Sequence, residues 1–204
     1  MSTRTFLLSP SYAGGRRAQM LLGGRGEFDL ARRMRAGAPT SLGEVFTFLS
    51  GLYFRGKLAY ANAFARPGVS RVLVITPTRG LMAATTPVTL KDLREFAEVD
   101  IDEDDPRYRK PLARDLRVLV RQLSGPCEVV LLGSIATGKY VSILLELLGE
   151  RIWFPADFVG RGDMSRGGLL LRCAADGTEL DYIPLQGAVR NGKRPPKLTP
   201  RRYT

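Results

Sequence analysis

Short apolar runs alternate along the whole chain with stretches whose apolar positions recur every three to four residues, a pattern that predicts strands linked by helices. Residues 3–8 form the first apolar run, closed by Ser9-Pro10-Ser11, and Gly14-Gly15 then leads into the helix-like RRAQMLL. From Ser41, positions Leu42, Val45, Phe46, Leu49, Leu52 and Tyr53 keep helical spacing, and Phe54, Leu58, Ala61 and Ala65 continue it beyond Ser50-Gly51. Two helices, or one kinked helix, are expected there. Residues 70–75 are a fully apolar strand followed by the loop Thr76-Pro77-Thr78-Arg79-Gly80, and Thr89 caps a short amphipathic helix.

The next helix, about residues 107–123, turns Leu112, Leu116, Leu119, Val120 and Leu123 inward. Its outer face carries Arg107, Lys110, Arg114, Arg117 and Arg121, which suits either solvent or phosphate. Residues 128–132 are a third strand, followed by a helix bearing Val141, Ile143, Leu144, Leu147 and Leu148, and residues 151–154 are a fourth. Residues 169–173 and 179–183 read as a hairpin turned at Asp176-Gly177. Strands separated by helices predict an α/β fold, a three-layer α/β/α sandwich with a mainly parallel central sheet and a small antiparallel extension. Residues 1–188 form one domain and residues 189–204 a basic C-terminal arm, with Pro195, Pro196 and Pro200 keeping it extended.

Composition narrows the chemistry. In 204 residues, 31 Lys and Arg stand against 20 Asp and Glu, a net charge of +11 that favours a polyanionic partner. Nucleic acid fits better than an anionic membrane, because no basic amphipathic helix tipped with aromatic residues is present. No apolar run is long enough to span a bilayer and the N-terminal one is too short for a signal peptide, so a cytoplasmic location is expected. The chain has no histidine, which excludes Ser-His and Cys-His nucleophile pairs and histidine metal sites. Cys127 and Cys173 lie in apolar runs and read as buried thiols, too few for a zinc site, and no cofactor is expected.

Three segments draw attention as sites. FPADFVGRGDMSRGG, residues 154–168, surrounds Asp163 with Arg161, Arg166, Ser165 and glycines, and reads either as a ligand loop or as a salt-bridged turn. Residues 133–139 fit G-x-x-x-x-G-K between a strand and a helix, but Tyr140 stands where a magnesium-binding hydroxyl would follow. A single phosphate held by Ser134, Thr137, Lys139 and backbone amides is the more modest reading, with a nucleotide phosphotransferase as the alternative. Asp100, Asp102 and Asp104 copy the opening of a calcium loop, yet Asp105 replaces its glycine and Pro111 its bidentate glutamate, so an acidic helix cap is expected instead.

LYFRGKLAYANAFARPGVSRVLVITPTRGLM, TFLLSPSYAGG and VVLLGSIATGKY together resemble a layout found in bacterial α/β families that include the peroxide-stress proteins. Through them the chain is similar to the uracil-DNA-glycosylase-type superfamily, and in size and basic loops to bacterial anti-phage glycosylases that excise sugar-decorated cytosines. The resemblance implies DNA as partner, double-stranded and bearing modified bases, and a base-excising hydrolase as activity. The chain has no histidine-containing leaving-group loop and no carboxylate directly after its first strand.

Cleaving a base–sugar bond passes through an oxocarbenium-like state that a carboxylate stabilises while it orients water. Asp163 is the candidate catalytic group, with Glu27 and Asp181 behind it. Ser9, Tyr12, Thr78, Arg79, Ser134, Thr137, Lys139, Arg161, Ser165 and Arg166 are candidates for base or phosphate contact, as are Arg190, Lys193 and Arg194 of the arm, and Tyr182 is a possible stacking group. Phe158 and Met164 are candidate wedges for base extrusion, or local core. The loops 76–80, 133–139 and 154–168 are expected to converge at one sheet edge. A non-catalytic DNA-binding protein remains the alternative.

Overall fold

The computed structural model describes residues 4–66, 71–123, 128–136 and 138–200. Its six strands are β1 (Arg4–Leu8), β2 (Arg71–Thr76), β3 (Gly80–Ala83), β4 (Glu128–Leu132), β5 (Ile152–Pro155) and β6 (Tyr182–Pro184). They form one sheet in the order β3-β2-β1-β4-β5-β6. The four inner strands are parallel, and β3 and β6 run antiparallel at the two edges. Parallel strands covered on both faces need apolar side chains on both, which is why Phe6, Leu7 and Leu8 of β1 and the run from Val129 to Leu132 of β4 are all fully buried.

The helices are α1 (Arg16–Leu22), α2 (Asp29–Arg35), α3 (Leu42–Ser50), α4 (Leu52–Phe64), α5 (Leu90–Ala97), α6 (Pro106–Gln122), α7 (Gly138–Leu148) and α8 (Asp163–Asp176). α4 lies along α8 and β1, whereas α6 lies along α7 and beside β2 and β3, giving the outer layers of a three-layer sandwich. Local chemistry fixes the ends. Ser41 accepts from the Glu44 amide, Thr89 and Asp92 form a reciprocal capping box, and Asp105 caps α6 with Pro106 at its first position. The acidic segment is therefore a helix cap, as its sequence suggested. Gly51, at φ 63°, separates α3 from α4.

Two expectations are corrected. Residues 169–173 are not a strand: α8 runs through them to Asp176, and Gly177 at φ 65° ends it as a left-handed cap instead of turning a hairpin. Only residues 182–184 pair antiparallel with β5. The reason lies in α4. A side chain on Gly56 would stand 2.6 Å from the Gly167 carbonyl oxygen, and one on Gly167 would stand 2.7 Å from the Leu52 carbonyl oxygen, so these glycines permit a close helix crossing. Tertiary contact makes a helix of an Asp-Met-Ser-Arg-Gly-Gly run that sequence pattern leaves as loop.

Residues 76–80 are likewise the turn of the β2–β3 hairpin, closed by Thr76 Oγ1 donating to the Gly80 carbonyl at 3.0 Å. Cys173 is buried in α8, while Cys127 lies outside the described residues. Residues 189–200 form no helix or strand and pack on the segment before α8, where Gly192 meets Val159. The outer arginines of α6 are exposed. Among the described residues no helix is long and apolar enough to cross a membrane.

Candidate functional site

The connection leaving β1 leads to β2 on one side and that leaving β4 leads to β5 on the other, which opens a crevice between their carboxyl ends. A cavity of about 780 Å³ occupies it. Ser9, Pro10 and Tyr12 line it from the segment after β1, Ser134, Lys139 and Tyr140 from the segment after β4, and Asp163 from the first turn of α8. Ser50 and Tyr53 add a wall from α3 and α4, and Asp100, Asp102, Glu103 and Asp104 close it from the acidic segment before α6.

The floor is polar and tightly made. Lys57 Nζ donates to the Ser9 carbonyl oxygen at 2.7 Å and approaches Ser9 Oγ at 2.9 Å, with the Tyr53 and Phe54 rings 4.6 and 4.8 Å away. Burial drives the Lys57 pKa down to about 7, opposed by the nearby Asp163 charge. The Tyr140 hydroxyl donates to the Ser134 carbonyl at 2.6 Å and interacts with Ser9, and burial pushes its pKa up to about 12. The Tyr53 hydroxyl is buried beside Arg166 without a well-formed hydrogen bond, and burial raises its pKa too.

Asp163 offers its carboxylate to the cavity with a side chain 65% exposed. Arg166, below it, is 6% exposed: Nη1 reaches Asp163 Oδ1 at 3.3 Å while Nε and Nη2 donate to the Phe158 carbonyl at 3.2 and 3.0 Å. Arg161 turns away, donating to the Asp157 carbonyl at 2.9 Å and reaching Ser165 Oγ at 3.3 Å and the Pro196 carbonyl at 3.5 Å. The two arginines thus brace the start of α8 and the arm, and only Arg166 touches the candidate carboxylate.

A second groove of about 460 Å³ lies across the start of α8, lined by Ala136, Gly160, Gly162, Arg161, Arg166, Arg190, Asn191 and Arg194. Arg166 is held by Asp163 and Arg161 lies 3.7 Å from Asp157, whereas Arg190 and Arg194 have no carboxylate partner among the described residues. A third, of about 380 Å³, takes Met164, Ser165, Arg172, Arg194 and Lys197. Charge is therefore divided: the deep cavity has an acidic wall and the neighbouring grooves are basic.

The fold brings Ser9, Tyr12, Ser134, Lys139 and Asp163 together, and it gathers Arg161, Arg166, Arg190 and Arg194 next door, with Lys193 on the same segment. Other candidates fall elsewhere. Thr78 donates to Glu95, and Arg79 is paired with Asp92 at 2.5 Å and Glu95 at 2.6 Å, so the hairpin turn is tied to α5 and does not join the cavity. Phe158 is fully buried and is core, not a wedge. Glu27 lies 3.6 Å from Arg35, Asp181 is exposed beyond α8, and Tyr182 bonds Tyr60 at 2.6 Å. Thr137 lies outside the described residues. The phosphate reading of the loop 133–139 is also weakened, since the Glu103 carboxylate already packs against Gly138 at the start of α7.

Sequence reasoning missed Lys57, Tyr53 and Tyr140, and took the acidic segment as a cap alone. Lys57 was findable: it lies four residues after Tyr53 and four before Ala61, on the buried face of α4. Among the described residues no group of three or more His, Cys, Asp or Glu side chains converges in a way that would hold a metal ion. Comparison with known proteins gives no matching family model, no matching curated protein and no matching solved structure.

Proposed function

We propose that this chain is a DNA base glycosylase that hydrolyses the N-glycosidic bond of an extruded, modified base and leaves an abasic site. The observation that carries the reading is the position of Asp163. Its exposed carboxylate stands on the wall of the crevice cavity while the arginine groove lies directly across the same helix start. A base entering the cavity would leave its flanking phosphates over Arg190 and Arg194. Asp163 then stabilises the cationic sugar and orients water, and the hydroxyls of Ser9 and Ser134 contact the base.

The gap left in the duplex is filled by Tyr12, 65% exposed on the cavity wall, or Met164, 67% exposed in the third groove. An acidic wall suits a base that carries a sugar, because carboxylates accept hydrogen bonds from its hydroxyl groups. The test is to incubate the protein with duplexes bearing natural, deaminated, hydroxymethylated and glucosylated bases, then heat in alkali. Strand breaks at one base type, lost with Asp163→Asn, support the reading. Salt-sensitive binding without breaks in any duplex replaces it with a DNA-binding function alone.

A further inference from the structure

Lys57 is a buried amine, 1% exposed, with no carboxylate paired to it among the described residues. Its hydrogen-bond partners are the carbonyl and hydroxyl oxygens of one residue, Ser9. The Tyr53 ring on its own helix and the Asp163 charge on α8 act on it directly, while Arg166 and Tyr140 stand one group further out, beside Tyr53 and Ser9. An ammonium there has three hydrogens and forms no ion pair among the described residues, and its burial outweighs the pull of the nearby Asp163 charge, so the neutral amine is favoured. A neutral amine has a lone pair to fill. The Ser9 hydroxyl, 2.9 Å away and on the cavity wall, is in place to fill it.

The surroundings hold that hydroxyl in place. Gly133 lies so close that a side chain there would meet Ser9 Cβ at 2.7 Å and the Tyr140 hydroxyl oxygen at 2.9 Å. A nucleophile within hydrogen-bond reach of a desolvated base, at the carboxyl end of a strand, is the arrangement by which a serine acts without histidine.

We propose that Ser9 is a nucleophile activated by Lys57 as general base, and that the cavity hydrolyses small esters or amides bearing a positive charge beside the acyl group. Ser9 Oγ bonds to the acyl carbon and its proton passes to the Lys57 amine. The adduct collapses, the bond from acyl carbon to leaving oxygen or nitrogen breaks, and Lys57 returns the proton to the leaving group. Water then attacks the acyl-serine ester and gives a proton to Lys57, which restores it to Ser9 Oγ as the acid departs. The wall formed by Asp100, Asp102, Glu103 and Asp104 selects the cationic substrate. Base excision as proposed above takes its chemistry from Asp163 and water, with Ser9 only in contact with the base, so one reading can fail while the other stands.

The test is covalent capture of the full chain by a neutral alkyl fluorophosphonate, read by peptide mass spectrometry. An adduct on Ser9 is expected, with a labelling rate that rises with pH to a half-maximum near 7. Lys57→Met is expected to slow labelling by about 100-fold or more, and Ser9→Ala to remove the adduct in a protein that still unfolds cooperatively. The p-nitrophenyl ester of glycine is expected to exceed p-nitrophenyl acetate in kcat/KM by about tenfold, a preference that Asp102→Asn with Asp104→Asn lowers. Wild-type protein that takes no adduct on Ser9, or a folded Lys57→Met protein labelled at the wild-type rate, overturns the nucleophile. Equal hydrolysis of the two esters overturns the substrate class.

Discussion

Gly56 and Gly167 meet across the α4–α8 crossing so closely that a Cβ on Gly56 would stand 2.6 Å from the Gly167 carbonyl oxygen. Backbone cannot yield as a flexible side chain can. Gly56→Ala and Gly167→Ala are each expected to destabilise the protein by about 1–3 kcal/mol, measured by urea unfolding. Gly168→Ala is the control, because its Cβ would meet only the Leu198 side chain at 3.4 Å and gains helix propensity. It should be neutral or stabilising.

Lys57 links stability to pH. Burial lowers its folded pKa to about 7 from the ordinary lysine value of 10.5. Below pH 7 folded and unfolded states both hold the proton and the full cost of the buried charge is present. Between about pH 7 and 10.5 the unfolded state holds more protons, so stability rises with pH. Lys57→Met is expected to melt higher than wild type at pH 6, with the difference shrinking as pH approaches 10. A difference independent of pH would mean that the amine stays charged.

Asp163 and Arg166 touch, but opposite consequences are expected from removing them. Asp163→Asn should change stability by less than about 0.5 kcal/mol, because its side chain is mostly exposed, while abasic-site formation falls by about 100-fold or more. Arg166→Met should cost about 1.5–3 kcal/mol, because two bonds to the buried Phe158 carbonyl disappear. Parallel thermal melts and strand-break assays on both variants separate the roles.

The arm and the hairpin turn give a contrast in nucleic-acid binding. Replacing Arg190, Lys193 and Arg194 together with Ala is expected to weaken duplex binding and to reduce the slope of log affinity against log salt by about 2–3. Arg79→Ala should leave both unchanged, since Asp92 and Glu95 already neutralise that guanidinium. Fluorescence anisotropy across a salt series measures each.

The sheet was legible because its inner strands are covered on both faces, and such strands write themselves as unbroken apolar runs, as in Phe6 to Leu8 and Val129 to Leu132. Helix starts were legible where a short polar side chain caps its own backbone, as at Ser41, Thr89 and Asp105. Asp163 lines the cavity from the first turn of a helix, where the sequence pattern suggested a loop.

That helix shows where local pattern ends. Glycines 167 and 168 argue against a helix within their own segment, and only the approach of Gly56 from more than a hundred residues earlier makes one. Arg79 looked as available as Arg190 in the sequence, and only packing of the hairpin turn on α5 gave it two carboxylates. By itself the sequence determined the inner strands, the caps, the basic balance and the absence of histidine, all properties of neighbouring residues or of composition. Tertiary structure alone decided that Lys57 meets Ser9, that an acidic wall faces them, and which arginines are left to meet a partner. Those are contacts between distant segments, set by how α4, α7 and α8 pack around the ends of β1 and β4.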